Sequence, residues 1–214
     1  MPTKSIVVIY ATREGQTQSI AEHLAAAIRV HGLSANIVHA GLLPSGFSFD
    51  AYSAAIVAAS VHGQRHEKEM IDFVKAYVTE LERIPSVFLS VSLTQAGVED
   101  ENAPPERRAR AKTDVRRMTD VFLAETGWHP EHIEAVAGAL RYTKYNFVLR
   151  FVMKQIAKRA GGSTDTSRDH EYTDWAALDR LVDELTRKVS AGGALVPSSG
   201  FGSLVCAKTP DSAA

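Results

Sequence analysis

The sequence predicts an α/β protein built on a doubly wound, five-stranded parallel sheet, and three observations carry that prediction. Five short apolar runs recur along the chain, small-residue loops follow them, and stretches with the 3.6-residue period of amphipathic helices separate them. Strand, helix, strand in this order implies parallel pairing with right-handed crossovers. Three of the runs are nearly continuous in Val, Ile, Leu and Ala, as strands covered on both faces are.

The first strand is Ser5 to Tyr10, dense in β-branched residues. A weaker second runs from Ser34 to His39, followed by Ala54 to Ala59, Ser86 to Ser92 and Ile133 to Leu140. The helix expected over Thr17 to Val30 sets Ile20, Leu24, Ala27 and Ile28 on one stripe. Glu67 to Arg83 does the same with Met70, Phe73, Val74, Tyr77, Val78 and Leu81. Glu106 to Thr126 is polar early and apolar late, and Asp174 to Val189 closes the domain through Leu178, Leu181, Val182 and Leu185. After Ser190 the periodicity stops in Gly, Ala, Ser and Pro, so residues 1–190 are expected to form one domain and 191–214 a disordered tail.

Composition narrows the function classes. A chain of 214 residues, 45% of them hydrophobic, buries roughly 70% of its unfolded surface and needs neither a disulfide nor a structural metal. Its 24 Lys and Arg against 25 Asp and Glu leave a net charge of −1, which argues against a nucleic-acid partner. Cys206, the single cysteine, offers no disulfide and no thiolate set, so redox chemistry requires an organic cofactor. The apolar run at Ile6 to Ala11 is too short for a signal peptide, and no run reaches the length of a membrane span. A cytoplasmic location is expected, with contact to a membrane surface left open.

Doubly wound sheets bind ligands beyond the carboxyl ends of their strands, which directs attention to the loop after the first strand. It reads Ala11-Thr12-Arg13-Glu14-Gly15-Gln16-Thr17. Two hydroxyls, a glycine at the tight point and a helix start are what a phosphomonoester needs: short donors, backbone N–H groups and the positive end of a helix dipole. The dinucleotide and nucleoside-triphosphate fingerprints are both lacking. The plain alternative is that Thr17 caps the helix and Gly15 makes a turn. The Thr-x-x-Gly-x-Thr string resembles the FMN phosphate loop of flavodoxin-like proteins, whose strand order is 2-1-3-4-5. Beside a phosphate, Glu14 is expected to point outward with Arg13 offsetting its charge.

That resemblance implies a flavin ring over the loops after the third and fourth strands. These read Ser60-Val61-His62-Gly63-Gln64-Arg65-His66 and Ser92-Leu93-Thr94-Gln95-Ala96-Gly97. The cofactor contacts it implies are Thr12 to Thr17, Ser60, Val61, His62, Gly63, Ser92, Leu93 and Thr94. Neither loop holds Phe, Tyr or Trp, so one ring face is expected to stay open to a large flat substrate. His62 and His66 are four apart but straddle a loop, and no metal site is expected.

From Ala135 to Thr164 there is no acidic residue, while Arg141, Lys144, Arg150, Lys154, Lys158 and Arg159 are basic. Arg150, Lys154 and Lys158 share one face of a helix expected over 141–160, while Phe147, Val148, Phe151, Val152 and Ile156 form an apolar one, with Gly161 as its C-terminal cap. A solvated surface helix, a docking face for anionic lipid and a clamp for substrate carboxylates all fit this pattern.

Three strings point further: Ala137-Gly138-Ala139-Leu140-Arg141-Tyr142, Gly161-Gly162-Ser163-Thr164-Asp165-Thr166 and Tyr172-Thr173-Asp174-Trp175. With the basic helix between them they resemble the quinone-dependent protoporphyrinogen IX dehydrogenases, FMN proteins of flavodoxin fold that act late in haem synthesis. The likeness spans Ile6 to Val189. It implies oxidation of protoporphyrinogen IX to protoporphyrin IX, with electrons passed through FMN to a membrane quinone at an anionic membrane surface. It names no general base. A flavodoxin-type electron carrier, an NAD(P)H-quinone reductase and a cofactor-poor docking domain are the rival readings, and a homo-oligomer is open.

Overall fold

The computed structural model describes residues 5–140 and 165–191. The basic helix expected over 141–160, with Arg141, Lys144, Arg150, Lys154 and Lys158, lies outside the described residues, as do Gly161 and the tail from 192 with Cys206.

In chain order the elements are β1 (Ser5–Ala11), α1 (Gln16–Val30), β2 (Ser34–His39), β3 (Ala54–His62), β4 (Arg65–His66), α2 (Lys68–Leu81) and β5 (Ser86–Ser92). There follow α3 (Leu93–Glu99), α4 (Pro105–Thr126), β6 (His132–Ala137), β7 (Ala139–Leu140), β8 (His170–Glu171) and α5 (Trp175–Ala191). The five long strands pair in parallel in the order β2-β1-β3-β5-β6, which is the expected 2-1-3-4-5. Alternation along β1 feeds two cores. Ile6 and Val8 pack with Ile20 and Leu24 of α1 and with Leu178 and Leu185 of α5. Val7 and Ile9 share the opposite core with Met70, Phe73 and Val74 of α2 and Phe122 of α4. Because both faces are covered, the central strands have no polar alternation to show.

Helix ends follow local chemistry. Pro105 occupies the first turn of α4, where its missing N–H costs nothing. Gly127, at φ +70°, closes that helix with its N–H donated to the Leu123 carbonyl at 2.8 Å.

Three expectations change. The segment Ser60 to His66 is a hairpin and not a loop: β3 runs on to His62, and β4 returns antiparallel, adding a short sixth strand to the sheet. Leu93 to Gly97, expected as loop, is helical, because the Ser92 hydroxyl at the end of β5 accepts the Gln95 N–H at 3.2 Å and caps α3. The run Ile133 to Leu140 divides at Gly138, after which β7 leaves the main sheet to pair with β8.

The core under α2 and α4 is aromatic. Phe88 and Phe122 stack with centroids 4.4 Å apart and 9° between planes, and Trp128 meets the edge of Phe88 at 5.8 Å. His66 is buried against this pair, 4.8 Å from the Phe122 ring, with Nε2 at 2.9 Å from the Ser90 hydroxyl. Burial holds its pKa down at about 4, against an ordinary value of 6.5.

Phe122→Ala is expected to cost about 3–5 kcal/mol, since the vacated ring volume borders two rings, Phe88 and His66, held in the buried core. Urea unfolding measures the loss. His66 gives stability a pH dependence of known sign. The unfolded chain takes up its proton near pH 6.5, whereas the folded chain resists until about pH 4. The unfolded state therefore binds more protons between those values. Stability is expected to fall by on the order of 3 kcal/mol from this group as pH drops through that window, with no contribution to the slope outside it. His66→Gln, which keeps a hydrogen-bonding side chain but does not titrate, should show the shallower slope in urea unfolding across pH 4 to 6.5.

Candidate functional site

The strand order reverses at β1: the chain leaves it toward β2 on one side, while β3 lies on the other. Loops at the carboxyl ends of β1 and β3 therefore diverge, and a crevice opens between them. A cavity of about 400 Å³ occupies it, a volume suited to a small organic ligand.

The first wall is the turn from β1 into α1. Thr12 Oγ1 accepts the Gly15 N–H at 3.0 Å, folding four residues back on themselves. Gly15 then takes φ +92°, a conformation a Cβ would strain. It is the N-cap residue of α1 and carries no side chain to cap it, so Thr17 is not the cap. The first-turn N–H groups of Thr17 and Gln18 have no intrahelical acceptor, and the dipole makes this end positive. The Thr17 hydroxyl, fully buried, has no hydrogen-bond partner among the described residues. Gln16 turns its amide inward, where Nε2 donates to the Thr173 hydroxyl at 2.9 Å and that hydroxyl donates to the Ala137 carbonyl at 2.7 Å. The loop is thus tied to the end of β6 and the start of α5.

The second wall is the β3–β4 hairpin. His62 pairs with Arg65 across a two-residue turn in which Gly63 and Gln64 both have positive φ, +56° and +67°. Such a turn matches the strand twist but strains a residue with a Cβ. Gln64 is held there by Arg117 of α4, whose Nη2 donates to its Oε1 at 2.7 Å. The third wall comes from the end of β5 and the first turn of α3, and the fourth from Gly138, whose N–H reaches the Ser92 carbonyl at 3.1 Å.

Most of the residues singled out from sequence converge here. Thr12, Glu14, Gln16 and Thr17 line the cavity from the first loop; Ser60, Val61, His62 and Gly63 do so from the second. Ser92, Leu93 and Thr94 complete it. Arg13 and Gly15 are not in the lining: Gly15 acts through the backbone, and Arg13 turns away to pair with Glu67 at 3.1 Å. Arg13, expected beside Glu14, thus pairs with Glu67, and Glu14, expected to point outward, lines the cavity. Gln64, Val91, Met118, Gly138 and Ala139 also line it and were not anticipated. Met118 has the spacing of a core residue, so only the packing of α4 brings it to the cavity.

His62 and His66 part company, the first at the cavity and the second in the aromatic core. Among the described residues no group of three or more His, Cys, Asp or Glu is placed to hold a metal. No described helix is long and apolar enough to cross a membrane. No Phe, Tyr or Trp stands in the described lining. The donor set fits an anionic ligand with a flat polar ring. An unsatisfied hydroxyl and the open end of a helix suit a phosphate, and Ser60, Ser92 and the hairpin backbone offer polar groups next to Val91 and Met118.

A family model described as a flavodoxin domain matches residues 7–167. The chain is 31% identical over 179 residues to the protoporphyrinogen IX dehydrogenase (quinone) of Escherichia coli strain K12, covering 84% of this chain and 93% of that one. It is also 31% identical over 181 residues to the protein of that name from Leishmania major, covering 83% and 73%. A solved Streptococcus pneumonia flavodoxin shares 16% identity at a TM-score of 0.49 over 86% of this chain and 99% of that one. Since the match takes in β1 to β6 and every loop of the cavity, the chain belongs to the flavodoxin-domain family, beside the proteins named protoporphyrinogen IX dehydrogenase.

Proposed function

We propose that this protein is an FMN-dependent oxidoreductase that oxidises protoporphyrinogen IX to protoporphyrin IX, with a membrane quinone as electron acceptor. The observation that carries the reading is the 31% identity spanning 93% of the Escherichia coli protein of that name. The cavity supports it independently, because its walls match the parts of a flavin mononucleotide.

The terminal phosphate belongs at the start of α1, where first-turn N–H groups and the Thr17 hydroxyl donate and the helix dipole favours an anion. Thr12, whose Oγ1 accepts the Gly15 N–H, shapes the loop and keeps its own O–H to donate. The flavin ring belongs between Ser60 to Gly63 on one side and Ser92 to Thr94 on the other. Bound there, it supplies the acceptor for a hydride equivalent, and the protein is left to bind and orient. With no aromatic cover from the described lining, one ring face is open to a tetrapyrrole. The acid-free stretch from Ala135 to Thr164, with Arg141, Lys144, Arg150, Lys154 and Lys158, suits substrate carboxylates or an anionic lipid surface on the cytoplasmic side, where the quinone is met.

The decisive assay mixes FMN-loaded protein anaerobically with protoporphyrinogen IX, with and without menaquinone, and follows flavin absorbance and porphyrin fluorescence. Flavin bleaching by the porphyrinogen and recolouring by the quinone are expected. Bleaching by reduced nicotinamide alone would replace this reading with an NAD(P)H-quinone reductase. A second measurement separates binding from packing at Thr17. Thr17→Val keeps the shape and removes a buried hydroxyl that has no partner among the described residues, so the FMN-free protein should be as stable as the wild type or slightly more so in urea. FMN affinity, by fluorescence quenching, should fall about tenfold, the loss of one hydrogen bond to a charged group.

A further inference from the structure

Each two-electron round of the proposed oxidation removes two hydrogens from the porphyrinogen. In each round a hydride equivalent leaves a bridging methylene carbon for the flavin; of the three accompanying protons, one per round, two leave pyrrole nitrogens as their C=N bonds form and the third leaves the remaining methylene carbon, so that four methylene and two N–H hydrogens are lost in all. The flavin accounts for the electrons and one hydrogen; the proton needs an acceptor at the cavity. Glu14 and His62 are the titratable side chains in the described lining. Glu14 sits in the first loop, where the phosphate is proposed to lie. His62 stands at the end of β3, on the side proposed for the ring.

His62 is also built into a frame. The two-residue turn and the pairing with Arg65 fix its backbone. Its Nε2 lies 3.6 Å from Glu67 Oε1, an oxygen that accepts no hydrogen bond among the described residues. The Glu67 carboxylate is only 12% exposed and is held from the other side by Arg13 at 3.1 Å. Its own N–H is donated to the Ser60 carbonyl at 3.1 Å, so the residue is anchored to the cavity wall by backbone as well. A histidine backed by a carboxylate at one nitrogen presents the other to a substrate and gains from the anion as it becomes cationic.

From this geometry we infer that His62 is the proton acceptor of the reaction, taking the released proton at Nδ1, and that Glu67 is the positioning residue that holds its Nε2. The inference rests on the proposed oxidation. The charged groups around the imidazole are Glu67 at the start of α2, Arg13 behind it, Arg65 across the hairpin and Glu14 in the first loop. Arg13 is engaged with Glu67 and Arg65 with Glu125, which leaves Glu67 as the near, opposite charge.

The test uses FMN-loaded protein, with loading checked by absorbance, and follows anaerobic flavin bleaching by protoporphyrinogen IX from pH 5 to 9. In the wild type the rate should fall tenfold per unit on the acid side of one titration. His62→Ala should be slower by at least about a hundredfold, should lack that acid limb, and should regain rate when imidazole is added. Glu67→Gln should load FMN and keep the KM for porphyrinogen while kcat falls by about tenfold. The His62 ring nitrogens, followed by 15N NMR without substrate, should show the Nε2–H tautomer in the wild type and a mixture of tautomers in Glu67→Gln. An acid limb that survives in His62→Ala, or a Glu67→Gln variant with wild-type kcat and an unchanged tautomer, would overturn the inference and leave the oxidation standing. A wild type that porphyrinogen does not bleach would overturn the oxidation itself and His62's role with it.

Discussion

The site depends on one backbone constraint: the chain must pass from Ala11, the last residue of β1, to Gln16, the first of α1, within four residues. It does so because the Thr12 hydroxyl captures the Gly15 N–H and Gly15 adopts φ +92°. A residue with a Cβ there would have to widen the turn. Widening would move the start of α1 off the strand end and tilt the dipole away from the crevice. Binding at this place is therefore a property of the turn before it is a property of any donor.

A second constraint keeps the turn in register with the far side of the sheet. The buried chain from Gln16 through Thr173 to the Ala137 carbonyl links residues distant in sequence, and each donor in it is matched by one acceptor. It crosses from α1 to the end of β6 at the point where Gly138 and Tyr172 lead the chain out of the main sheet. Cavity shape is thus coupled to where the chain departs toward residue 141.

The fold was legible because both faces of the sheet are buried. β1, β3 and β5 carry apolar runs too dense for one-sided strands, and α1, α2 and α5 carry single stripes with the right period. Candidate residues followed from the position of the loops, and most of them line the cavity. What escaped had physical reasons. The hairpin at His62 to Arg65 depends on Gln64 accepting a positive φ, supported by Arg117 of α4, and no local string announces that help. Helix α3 is seven residues long and started by a serine that also ends a strand, so its period is too short to see. The Arg13–Glu67 pair joins residues 54 apart, and nothing in Arg13's neighbourhood marks it as engaged elsewhere.

That pair shows how a surface contact and a site can share one carboxylate. Alone, an ion pair with an arginine 65% exposed contributes little to stability. The same side chain, however, is only 12% exposed, and its other oxygen faces His62 across 3.6 Å. A guanidinium on one oxygen holds the group in place while the second oxygen remains available to the imidazole. Were Arg13 to pair with Glu14 instead, Glu67 would be free to rotate toward solvent, and the hairpin would lose its nearest anion. The loop that turns toward the phosphate and the hairpin that borders the ring are therefore joined by an interaction whose value lies in position and not in binding energy.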